Sequence, residues 1–513
     1  MTTTRGNLTG TPVLVVGAGI MGAGIAQVAA QAGHAVLLYD MREGAAVEAK
    51  TKLGASLQAL VAKGKLTADA VAQALARIEP IGQLQAAAGA GLVVEAIVEQ
   101  LEAKRALFRE LEGIVVADCV LATNTSSISV TAIANGLQHP GRLVGMHFFN
   151  PVPVMKLVEV VSGLQTEPAV AQAIFELSCS WGKTPVYAKS TPGFIVNRIA
   201  RPFYAETLAL LLEQAAGPQV LDACLKGAGF RMGPCELIDL IGHDTNFAVT
   251  QSVYEANFYD KRFVPSLVQR EMVAGGLLGR KSGRGFYRYP EGVPALPASA
   301  AAPLAGVREL VVHGEGALAD AFAQAAGTAA AALGVVPSRE RDSGWTGLSI
   351  DGARLVMTDG RCAQALAAEM GAIEVAVFDR PVQWPMAPGS TLAYAVAPGA
   401  GSAWQAQAAA WLAALGFAPV QVADAPGLVV ARTVAMLINE AADAVLQGVC
   451  TPEGADAAMK LGLNYPAGPF EWLARWSVPG VIAVLEALDA HYRGERYRVS
   501  PWLRRQPGAV AAA

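Results

Sequence analysis

The amino-acid sequence predicts a doubly wound α/β domain followed by an all-α helical domain, with the helical domain repeated after a vestigial α/β segment. Three observations support this fold class. Short apolar runs alternate with helical patterns over the first part of the chain, as they do in doubly wound sheets. Helical patterns follow one another directly after Thr191. Motifs of that helical stretch then recur near the end of the chain.

The composition is that of a globular protein with several domains. The chain has 513 residues, 53% of them hydrophobic and 16% charged, and this length exceeds what one hydrophobic core usually serves. A formal net charge of -4 gives no electrostatic reason to expect nucleic acid or an anionic membrane as a partner. The most apolar later stretches, such as 317–336, are interrupted by polar residues and predict helices of a soluble protein rather than membrane spans.

The cysteines and the start of the chain indicate a cytoplasmic protein. Six cysteines are scattered without a CxxC pair, which favours reduced, mostly buried thiols over a disulfide framework or a zinc site. We therefore expect no metal. The first residues, MTTTRGNLTGTP, lack the apolar core of a secretory signal, so none is expected.

The α/β domain is predicted over 11–190. Its strand candidates are the apolar runs 13–16, 35–40, 92–96, 120–123, 143–147 and 156–161. After the second strand, a break at Gly64 and a capping residue at Thr67 divide the helical stretch 43–77. This pattern predicts a helical hairpin inserted into the domain.

The helical domain is predicted over 191–288, with helices at 194–214, 219–228, 233–241 and 245–258. A proline- and alanine-rich linker is predicted at 289–306. The vestigial α/β segment is predicted over 307–423, because it contains LVVHGEGALA, which resembles a degenerate strand–glycine–helix unit. The second helical domain is predicted over 424–505, because Pro192-Gly193-Phe194 recurs as Pro426-Gly427-Leu428, an offset of 234 residues (426 − 192). Further pairs share that offset: Glu206 and Glu440, Asp222 and Asp456, and Lys226 and Lys460.

A dinucleotide site is indicated by GAGIMG at 17–22, a GxGxxG that follows a strand and opens a helix. In this Rossmann-type fingerprint, Gly17 makes the tight turn, Gly19 lets the backbone approach the pyrophosphate, and Gly22 permits close helix–strand packing. Asp40 ends the next strand, where a carboxylate accepts hydrogen bonds from both ribose hydroxyls and repels a 2′-phosphate. The predicted cofactor is therefore NAD rather than NADP.

A candidate acid–base pair lies in the segment LVGMHFFNPVPVMKLVEVV at 143–161. His147 ends one strand and Glu159 lies within the next, so neighbouring strands can bring the carboxylate to the imidazole. A buried carboxylate in an apolar strand requires a partner. A histidine held in one tautomer by a carboxylate can take the hydroxyl proton of an alcohol during hydride transfer. The pair predicts an alcohol-oxidising dehydrogenase with His147 as base.

Four motifs in order give the chain a family resemblance. GAGIMGAGIA, NTSSIS at 124–129, GMHFFNPVPVMKLVEVV and STPGFIVNR at 190–198 resemble the signatures of the (S)-3-hydroxyacyl-CoA dehydrogenases, in register over about 11–288. The duplicated helical domain, with RTVAMLINEA and YPAGPFEW, resembles the long form of this family that acts in phenylacetate catabolism. The resemblance implies NAD-dependent oxidation of an acyl-CoA substrate.

The resemblance also implies residue roles. His147 would be the general base and Glu159 its orienting partner, while Ser126 and Asn197 would hold the hydroxyl or carbonyl oxygen. The positions that match family residues around the nicotinamide and its ribose are Glu99, Lys104, Asn124, Asn150 and Lys281. The hairpin positions that match coenzyme A contacts are Ser56 and Lys63.

The long-form resemblance implies a substrate with a distal carboxylate, 3-hydroxyadipyl-CoA. Arg201 is the candidate for recognising it, because residues four apart on a helix share a face and Arg201 would lie one turn beyond Asn197. A guanidinium there could bind a carboxylate through two parallel hydrogen bonds. The plainer alternative is that Arg201 pairs with an acidic side chain or faces water.

The sequence leaves alternatives for the substrate and the function. The substrate could instead be 3-hydroxybutyryl-CoA, or a hydroxy acid without coenzyme A. A non-enzymatic, NAD-binding structural protein is a further alternative, against which the intact candidate residues count. A fused hydratase is not expected, since 307–423 is too short for one.

The second copy is predicted to lack the chemistry of the first. Ala431 replaces Asn197 at the 234-residue offset, and no HFFNP-like segment precedes it. One active site per chain is therefore expected. The two helical domains could pair within one chain, or the chain could form a homodimer.

Overall fold

The structure is a computed structural model that describes residues 7–297, 303–304, 306–384, 386–387 and 389–508. Part of the MTTTRGNLTGTP stretch and part of the predicted linker 289–306 lie outside these residues. The described chain forms two compact units. One comprises the residues up to Arg198 together with Gln447–Leu463, and the other comprises Ile199–Leu446 and the residues from Asn464 onward.

The first α/β domain has one sheet with the strand order β3-β2-β1-β4-β5-β6-β7-β8. All neighbouring strands are parallel except β6 and β7, which are antiparallel. The strands are Val13–Val16 (β1), Val36–Tyr39 (β2), Ile78–Pro80 (β3), Leu92–Glu95 (β4), Val120–Thr123 (β5), Leu143–Phe148 (β6), Leu157–Ser162 (β7) and Thr184–Lys189 (β8). The helices are Ile20–Gln31 (α1), Ala45–Ala62 (α2), Ala68–Ala76 (α3), Leu101–Glu112 (α4), Val130–Ala134 (α5) and Pro168–Ser180 (α6).

The central strands of this sheet are buried along their whole length because both of their faces are covered. Every residue of β1, β4 and β5 is buried. The predicted hairpin is present as α2 and α3, and the Thr67 hydroxyl accepts a hydrogen bond from the Ala70 amide as the cap of α3. Strands β3 and β8 were not predicted. Strand β8 lies at the sheet edge and contains Pro185, which weakens a strand pattern in the sequence.

The first helical domain begins with Val196–Ile199 (α7), Arg201–Leu212 (α8), Pro218–Gly227 (α9), Pro234–Ile241 (α10), His243–Ala256 (α11) and Leu267–Ala274 (α12). The continuous helix predicted over 194–214 is wrong. The structure has two helices that are separated at Ala200, because Pro202 has no amide hydrogen and its ring crowds the carbonyl four residues earlier. Asn197 and Arg201 therefore lie on different helices, and the helix α12 was not predicted.

The second α/β domain has a sheet ordered β10-β9-β11-β12-β13-β14-β15. Its strands are Leu310–His313 (β9), Ser338–Glu340 (β10), Gly347–Ile350 (β11), Ala353–Met357 (β12), Val375–Phe378 (β13), Ser390–Val396 (β14) and Phe417–Gln421 (β15). Its helices are Gly316–Ala331 (α13), Ala363–Met370 (α14) and Ser402–Ala414 (α15). From β12 onward the pairing is parallel, antiparallel and parallel, the same order as from β5 to β8.

The second helical domain contains Val430–Leu446 (α16), Pro452–Leu463 (α17), Pro469–Trp476 (α18), Val478–Tyr492 (α19) and Pro501–Arg504 (α20). The predicted repeat extends to the backbone. Gly193 and Phe194 have φ values of 77° and 46°, and their counterparts Gly427 and Leu428 have 68° and 49°. Left-handed conformations are rare outside glycine, so their recurrence at the same two positions is strong support for duplication. The predicted fold class is confirmed.

Within the second unit, helix α8 packs against helix α16. The buried Glu206 carboxylate accepts a hydrogen bond from Arg432 at 2.7 Å and another from Arg496 at 2.7 Å. The two helical domains are thus in contact through a buried ion-pair network.

Candidate active site

The GxGxxG loop leaves a cavity of about 560 Å³ at the carboxyl ends of β1 and β2. Gly17 has a φ of +103°, and a Cβ there would lie 2.4 Å from the Ala96 carbonyl oxygen. A Cβ on Gly22 would lie 1.7 Å from the Gly17 carbonyl oxygen. Nothing lies within 4 Å of a Cβ on Gly19, so this glycine keeps one side of the loop open toward the cavity. These are the properties of a loop that admits a pyrophosphate.

Asp40 lines the same cavity. Its carboxylate accepts hydrogen bonds from the Ala18 amide at 2.8 Å and the Arg42 amide at 2.9 Å. Each carboxylate oxygen has a second lone pair, so Asp40 retains the capacity to accept ribose hydroxyls. Met41 and Val98 provide apolar lining beside it, suited to a flat aromatic ring. The residues present therefore fit NAD.

The structure brings His147 and Glu159 together at directly opposed positions of β6 and β7. Their side chains are buried, and His147 Nδ1 lies 2.5 Å from Glu159 Oε2. An ionised carboxylate can only accept, so Nδ1 donates and Nε2 keeps a lone pair. The imidazole packs between Phe149 and Phe194, whose ring centroids lie 4.5 Å and 5.8 Å away. The ring is thereby fixed in orientation as well as in tautomer.

Glu159 has a second contact that the sequence did not indicate. Its Oε1 accepts hydrogen bonds from the amides of Ile195 and Val196, at 2.9 Å and 3.0 Å, where helix α7 begins. Amides at a helix start have no acceptor within the helix, and a negatively charged carboxylate there is stabilised by the helix dipole. Asn197 follows directly on α7. One carboxylate therefore orients His147 and holds the helix that carries Asn197.

Glu99 holds the turn that carries Ser126. Its Oε1 accepts hydrogen bonds from the Thr125 hydroxyl at 2.7 Å and the Ser126 amide at 2.8 Å, and Ser127 contributes two more. Burial works to raise the pKa of Glu99, but the positive charge of Lys104 and the hydrogen bond from Thr125 hold it below its ordinary value. Glu99 is therefore an ionised anchor for the Ser126 turn.

Lys104 is buried between two carboxylates. Its ammonium lies 2.6 Å from Glu95 and 3.2 Å from Glu99. Glu95 also accepts a hydrogen bond from the Thr123 hydroxyl at 2.6 Å. Sequence reasoning missed Glu95, although it ends the apolar strand LVVE and the argument applied to Glu159 would have found it. Lys104 thus supports the turn through Glu99.

Asn124 connects the ends of two strands near His147. Its Oδ1 accepts a hydrogen bond from the Phe148 amide at 2.9 Å, and its own amide donates to the Glu95 carbonyl. Ser126 and Asn124 thus lie on a turn that is tied both to β6 and to Glu99.

A second cleft of about 530 Å³ lies between α1 and the hairpin. Gly19, Asn150 and the exposed Ser56 line it, together with Arg42 and Lys52. Neither Arg42 nor Lys52 was among the site residues predicted from the sequence. Lys63 is exposed at the C-terminal end of α2 and does not line this cleft.

Two predicted residues lie in the second unit. Lys281 is half exposed and forms an ion pair with Asp244 at 2.5 Å. Arg201 is buried, donates to the Thr250 hydroxyl at 3.1 Å, and lies over the Tyr204 ring at 5.0 Å. Burial lowers the pKa of the Arg201 guanidinium. With Thr250 and Gln269 it lines a cavity of about 160 Å³.

The second copy keeps the helix anchor without the imidazole. Asp379 follows strand β13, and its carboxylate accepts hydrogen bonds from the amides of residues 429–431, the counterparts of 195–197. Its own amide bonds the Ala393 carbonyl of β14, so it stands where His147 stands in the first copy. Burial raises the pKa of Asp379 to about 6. In the second copy the Asp379 carboxylate therefore holds the helix start, as Glu159 does in the first copy, but among the described residues it orients no histidine.

The nucleotide loop of the second copy has also changed. The Gly17 amide bonds the Tyr39 carbonyl, and the Gly314 amide bonds the Glu340 carbonyl in the same way. The residue after Tyr39 is Asp40, whereas the residue after Glu340 is Arg341. A guanidinium cannot accept hydrogen bonds from ribose hydroxyls.

Over the residues that the structure describes, no group of three or more His, Cys, Asp or Glu side chains is arranged to hold a metal ion. In the same part of the chain, no helix is both long enough and apolar enough to cross a bilayer. All six cysteines are free thiols.

Known protein families match most of the chain. The family described as 3-hydroxyacyl-CoA dehydrogenase, NAD binding domain, matches residues 12–191. The 3-hydroxyacyl-CoA dehydrogenase C-terminal domain matches twice, at 193–289 and 427–507. The 3-hydroxybutyryl-CoA dehydrogenase reduced Rossmann-fold domain matches 355–426, within the second α/β domain.

Individual relatives agree. The chain is 46% identical over 495 residues to the 3-hydroxyadipyl-CoA dehydrogenase of Escherichia coli K12, covering 96% of this chain and 97% of that protein. A probable 3-hydroxybutyryl-CoA dehydrogenase of Deinococcus radiodurans is 45% identical and matches 54% of this chain and 99% of its own. The crystal structure of a 3-hydroxybutyryl-CoA dehydrogenase from E. coli K12 superposes with a TM-score of 0.86 at 43% identity, over 97% of this chain and 98% of that one. The chain therefore belongs to the NAD-dependent 3-hydroxyacyl-CoA dehydrogenase family, in a long form with two C-terminal-type domains.

Proposed function

We propose that the chain oxidises a (S)-3-hydroxyacyl-CoA to the 3-oxoacyl-CoA, with His147 Nε2 accepting the hydroxyl proton. The observation that carries the proposal is the buried contact between His147 Nδ1 and Glu159, which leaves Nε2 as the free basic nitrogen. NAD, held by Gly17, Gly19 and Asp40, would supply the acceptor for the hydride of the carbinol carbon, with its two electrons, while His147 takes the hydroxyl proton. Glu159 stabilises the imidazolium that results.

Ser126 and Asn197 are proposed to hold the reacting oxygen. Ser126 lies on the turn anchored by Glu99, and Asn197 on the helix anchored by Glu159. Both anchors are carboxylates that accept several hydrogen bonds, which fixes the supporting backbone. Donors that are placed in advance stabilise charge on a developing carbonyl without reorganisation.

The coenzyme A moiety is proposed to lie in the cleft that Ser56 lines. Arg42 and Lys52 line the same cleft with largely exposed side chains, 65% and 81% respectively, and a cationic rim suits the phosphates of coenzyme A. Both are paired with Glu48 in the structure. Lys63 and Lys281 keep their proposed family roles, in coenzyme A and cofactor contacts.

The proposed substrate is 3-hydroxyadipyl-CoA in phenylacetate catabolism, with 3-hydroxybutyryl-CoA as the alternative. The similarity over 96% of the chain to a protein named for the adipyl substrate supports it, while a full-length structural relative is named for the butyryl substrate. These substrates differ by a distal carboxylate. Arg201 is our candidate for binding it, because its buried guanidinium lines a cavity with polar neighbours.

A substrate panel tests this assignment. Catalytic efficiency should be higher for 3-hydroxyadipyl-CoA than for 3-hydroxybutyryl-CoA, and both should exceed free 3-hydroxy acids. Arg201→Met should lower efficiency selectively for the dicarboxylic substrate, by roughly 1–3 kcal/mol, the scale of a hydrogen bond to a charged group. An equal loss on both substrates would make Arg201 a structural residue.

The protein is proposed to act in the cytoplasm as a chain whose two helical domains pair internally. The contact of α8 with α16 and the buried Glu206–Arg432 ion pair support the pairing. Light scattering would measure the molar mass in solution. A mass of one chain is expected, and a stable dimer would favour the alternative.

A further inference from the structure

The catalytic unit includes a segment from the far end of the chain. Residues Gln447–Leu463 belong in sequence to the second helical domain, yet they form one compact unit with the first α/β domain. Helix α17 packs on β7, the strand that carries Glu159, and on β8. The packing is close at Gly462, where a Cβ would lie 2.9 Å from a Leu157 methyl and 3.1 Å from a Val196 methyl.

Two hydrogen bonds fix the start of this segment. The Lys189 amide, at the end of β8, donates to the Val449 carbonyl at 3.0 Å. The Arg198 Nη1 donates to Gln447 Oε1 at 2.8 Å, and Arg198 is only 2% exposed. Arg198 follows Asn197 on helix α7, whose first amides bind Glu159. Helix α7 is therefore held by Glu159 at its beginning and by Gln447 through Arg198.

Cys450, in the same segment, lies within electrostatic range of Glu159. Burial raises the pKa of the Cys450 thiol to about 12, and the negative charge of Glu159 acts in the same direction. The thiol is therefore neutral at physiological pH.

We propose that Gln447–Leu463 is a positioning segment of the active site, in which Gln447 acts through Arg198 to hold helix α7, and thereby Asn197 and Glu159, in working geometry. The second helical domain, which carries Ala431 where the first has Asn197, thus serves the catalysis of the first. This inference rests on the proposed function, because it assigns Gln447 to the His147 site.

The contact between Arg198 and Gln447 has a counterpart in the second copy, which lacks the catalytic residues. At the 234-residue offset, Gln447 corresponds to Glu213 (447 − 234) and Arg198 to Arg432 (198 + 234). Arg432 donates to Glu213 at 3.3 Å. The backbone bond recurs as well, from the Ala423 amide to the Ala215 carbonyl, and α9 packs on β14 as α17 packs on β7. Glu213 is therefore a matched control for Gln447.

The test compares Gln447→Met with Glu213→Met in the full chain. For Gln447→Met we expect kcat on 3-hydroxybutyryl-CoA to fall roughly tenfold, the scale of one lost hydrogen bond to a charged group, with NAD affinity unchanged. Gln447→Glu, which places at 447 the residue found at 213, should restore most of kcat. Glu213→Met should lower Tm but leave kcat unchanged.

A second readout does not depend on turnover. The His147 Nδ1 proton in its short bond to Glu159 should give a far-downfield proton resonance, identified by its absence in His147→Gln. Gln447→Met should shift or broaden this resonance, whereas Glu213→Met should not. If Gln447→Met does not fold, Gly462→Ala replaces it, because the added methyl group would be too close to Leu157 and would displace α17 from β7. This variant should also lower kcat and shift or broaden the resonance.

Two results would overturn the inference. One is unchanged kcat and an unchanged His147 resonance in Gln447→Met. The other is an equal loss of kcat in Glu213→Met, which would mean general destabilisation. Failure of the proposed function is distinguishable, because the wild-type chain would then show no 3-hydroxyacyl-CoA turnover while the resonance could still be compared between variants.

Discussion

Replacing Glu159 by glutamine is expected to disable His147 by changing its tautomer. Glu159 Oε1 accepts two backbone amides, from Ile195 and Val196, so the amide oxygen of a glutamine must stay on that side. The amide nitrogen then faces His147 Nδ1, which lies 2.5 Å from Oε2 in the native structure. Two donors cannot face each other. The imidazole must carry its proton on Nε2, where it can no longer accept one from the substrate.

The magnitude follows from the loss of the base. General-base catalysis contributes about 10²–10⁴ in rate, so kcat of Glu159→Gln should fall by that factor, roughly 3–5 kcal/mol. Stability should fall less, by about 1–2 kcal/mol, because the two backbone donors keep a neutral acceptor. The assay is steady-state formation of NADH from a 3-hydroxyacyl-CoA, combined with calorimetric titration of NAD and thermal unfolding.

Asp379 provides the control for Glu159. It caps the corresponding helix start of the second copy, at residues 429–431, so Asp379→Asn should lower stability by a similar amount. Its kcat should equal that of the wild type. Wild-type turnover in Glu159→Gln would refute the tautomer argument. An equal loss of turnover in Asp379→Asn would mean that losing a charged helix cap lowers turnover by destabilising the protein, without any change of the His147 tautomer.

Three further predictions concern the cofactor and the reacting oxygen. Asp40→Ala should weaken NAD binding more than NADP binding, because the carboxylate that accepts the ribose hydroxyls and repels a 2′-phosphate is lost; comparable efficiency of the wild type with both cofactors would argue against this role. Calorimetry should give one NAD per chain, since Arg341 stands where Asp40 stands in the first copy, and a stoichiometry of two would contradict the vestigial assignment. Ser126→Ala should lower kcat/KM roughly tenfold through one lost hydrogen bond, with NAD affinity unchanged, and an unaltered kcat/KM would remove Ser126 from the oxygen site.

Local patterns in the sequence were enough to predict the main fold. The alternation of apolar runs and helices predicts the strands of the first sheet from β1 to β7 except β3, and the 234-residue offset predicts the repeat of the helical domain. The strand β8 was missed because a short edge strand with a proline has a weak pattern. The break of the helix at Ala200 was also missed, although Pro202 is visible in the sequence.

The candidate site was predictable where a strand pattern determines side-chain proximity. His147 and Glu159 lie on consecutive antiparallel strands, so a carboxylate in an apolar strand already indicated its partner. The contact of Glu159 with the start of α7 was not predictable, since it depends on how the chain returns after β8. The same holds for Gln447, which lies 249 residues from Arg198 in the chain. Periodicity reports local structure and contains no information on such distant contacts.

Turnover of His147→Gln tests the central claim most directly. With a 3-hydroxyacyl-CoA substrate, kcat should fall by about 10²–10⁴, the contribution of a general base. Calorimetric affinity for NAD should be unchanged, because Gly17, Gly19 and Asp40 form a cavity that His147 does not line. Near-normal turnover in His147→Gln, with NAD still bound, would contradict the assignment of His147 as the base.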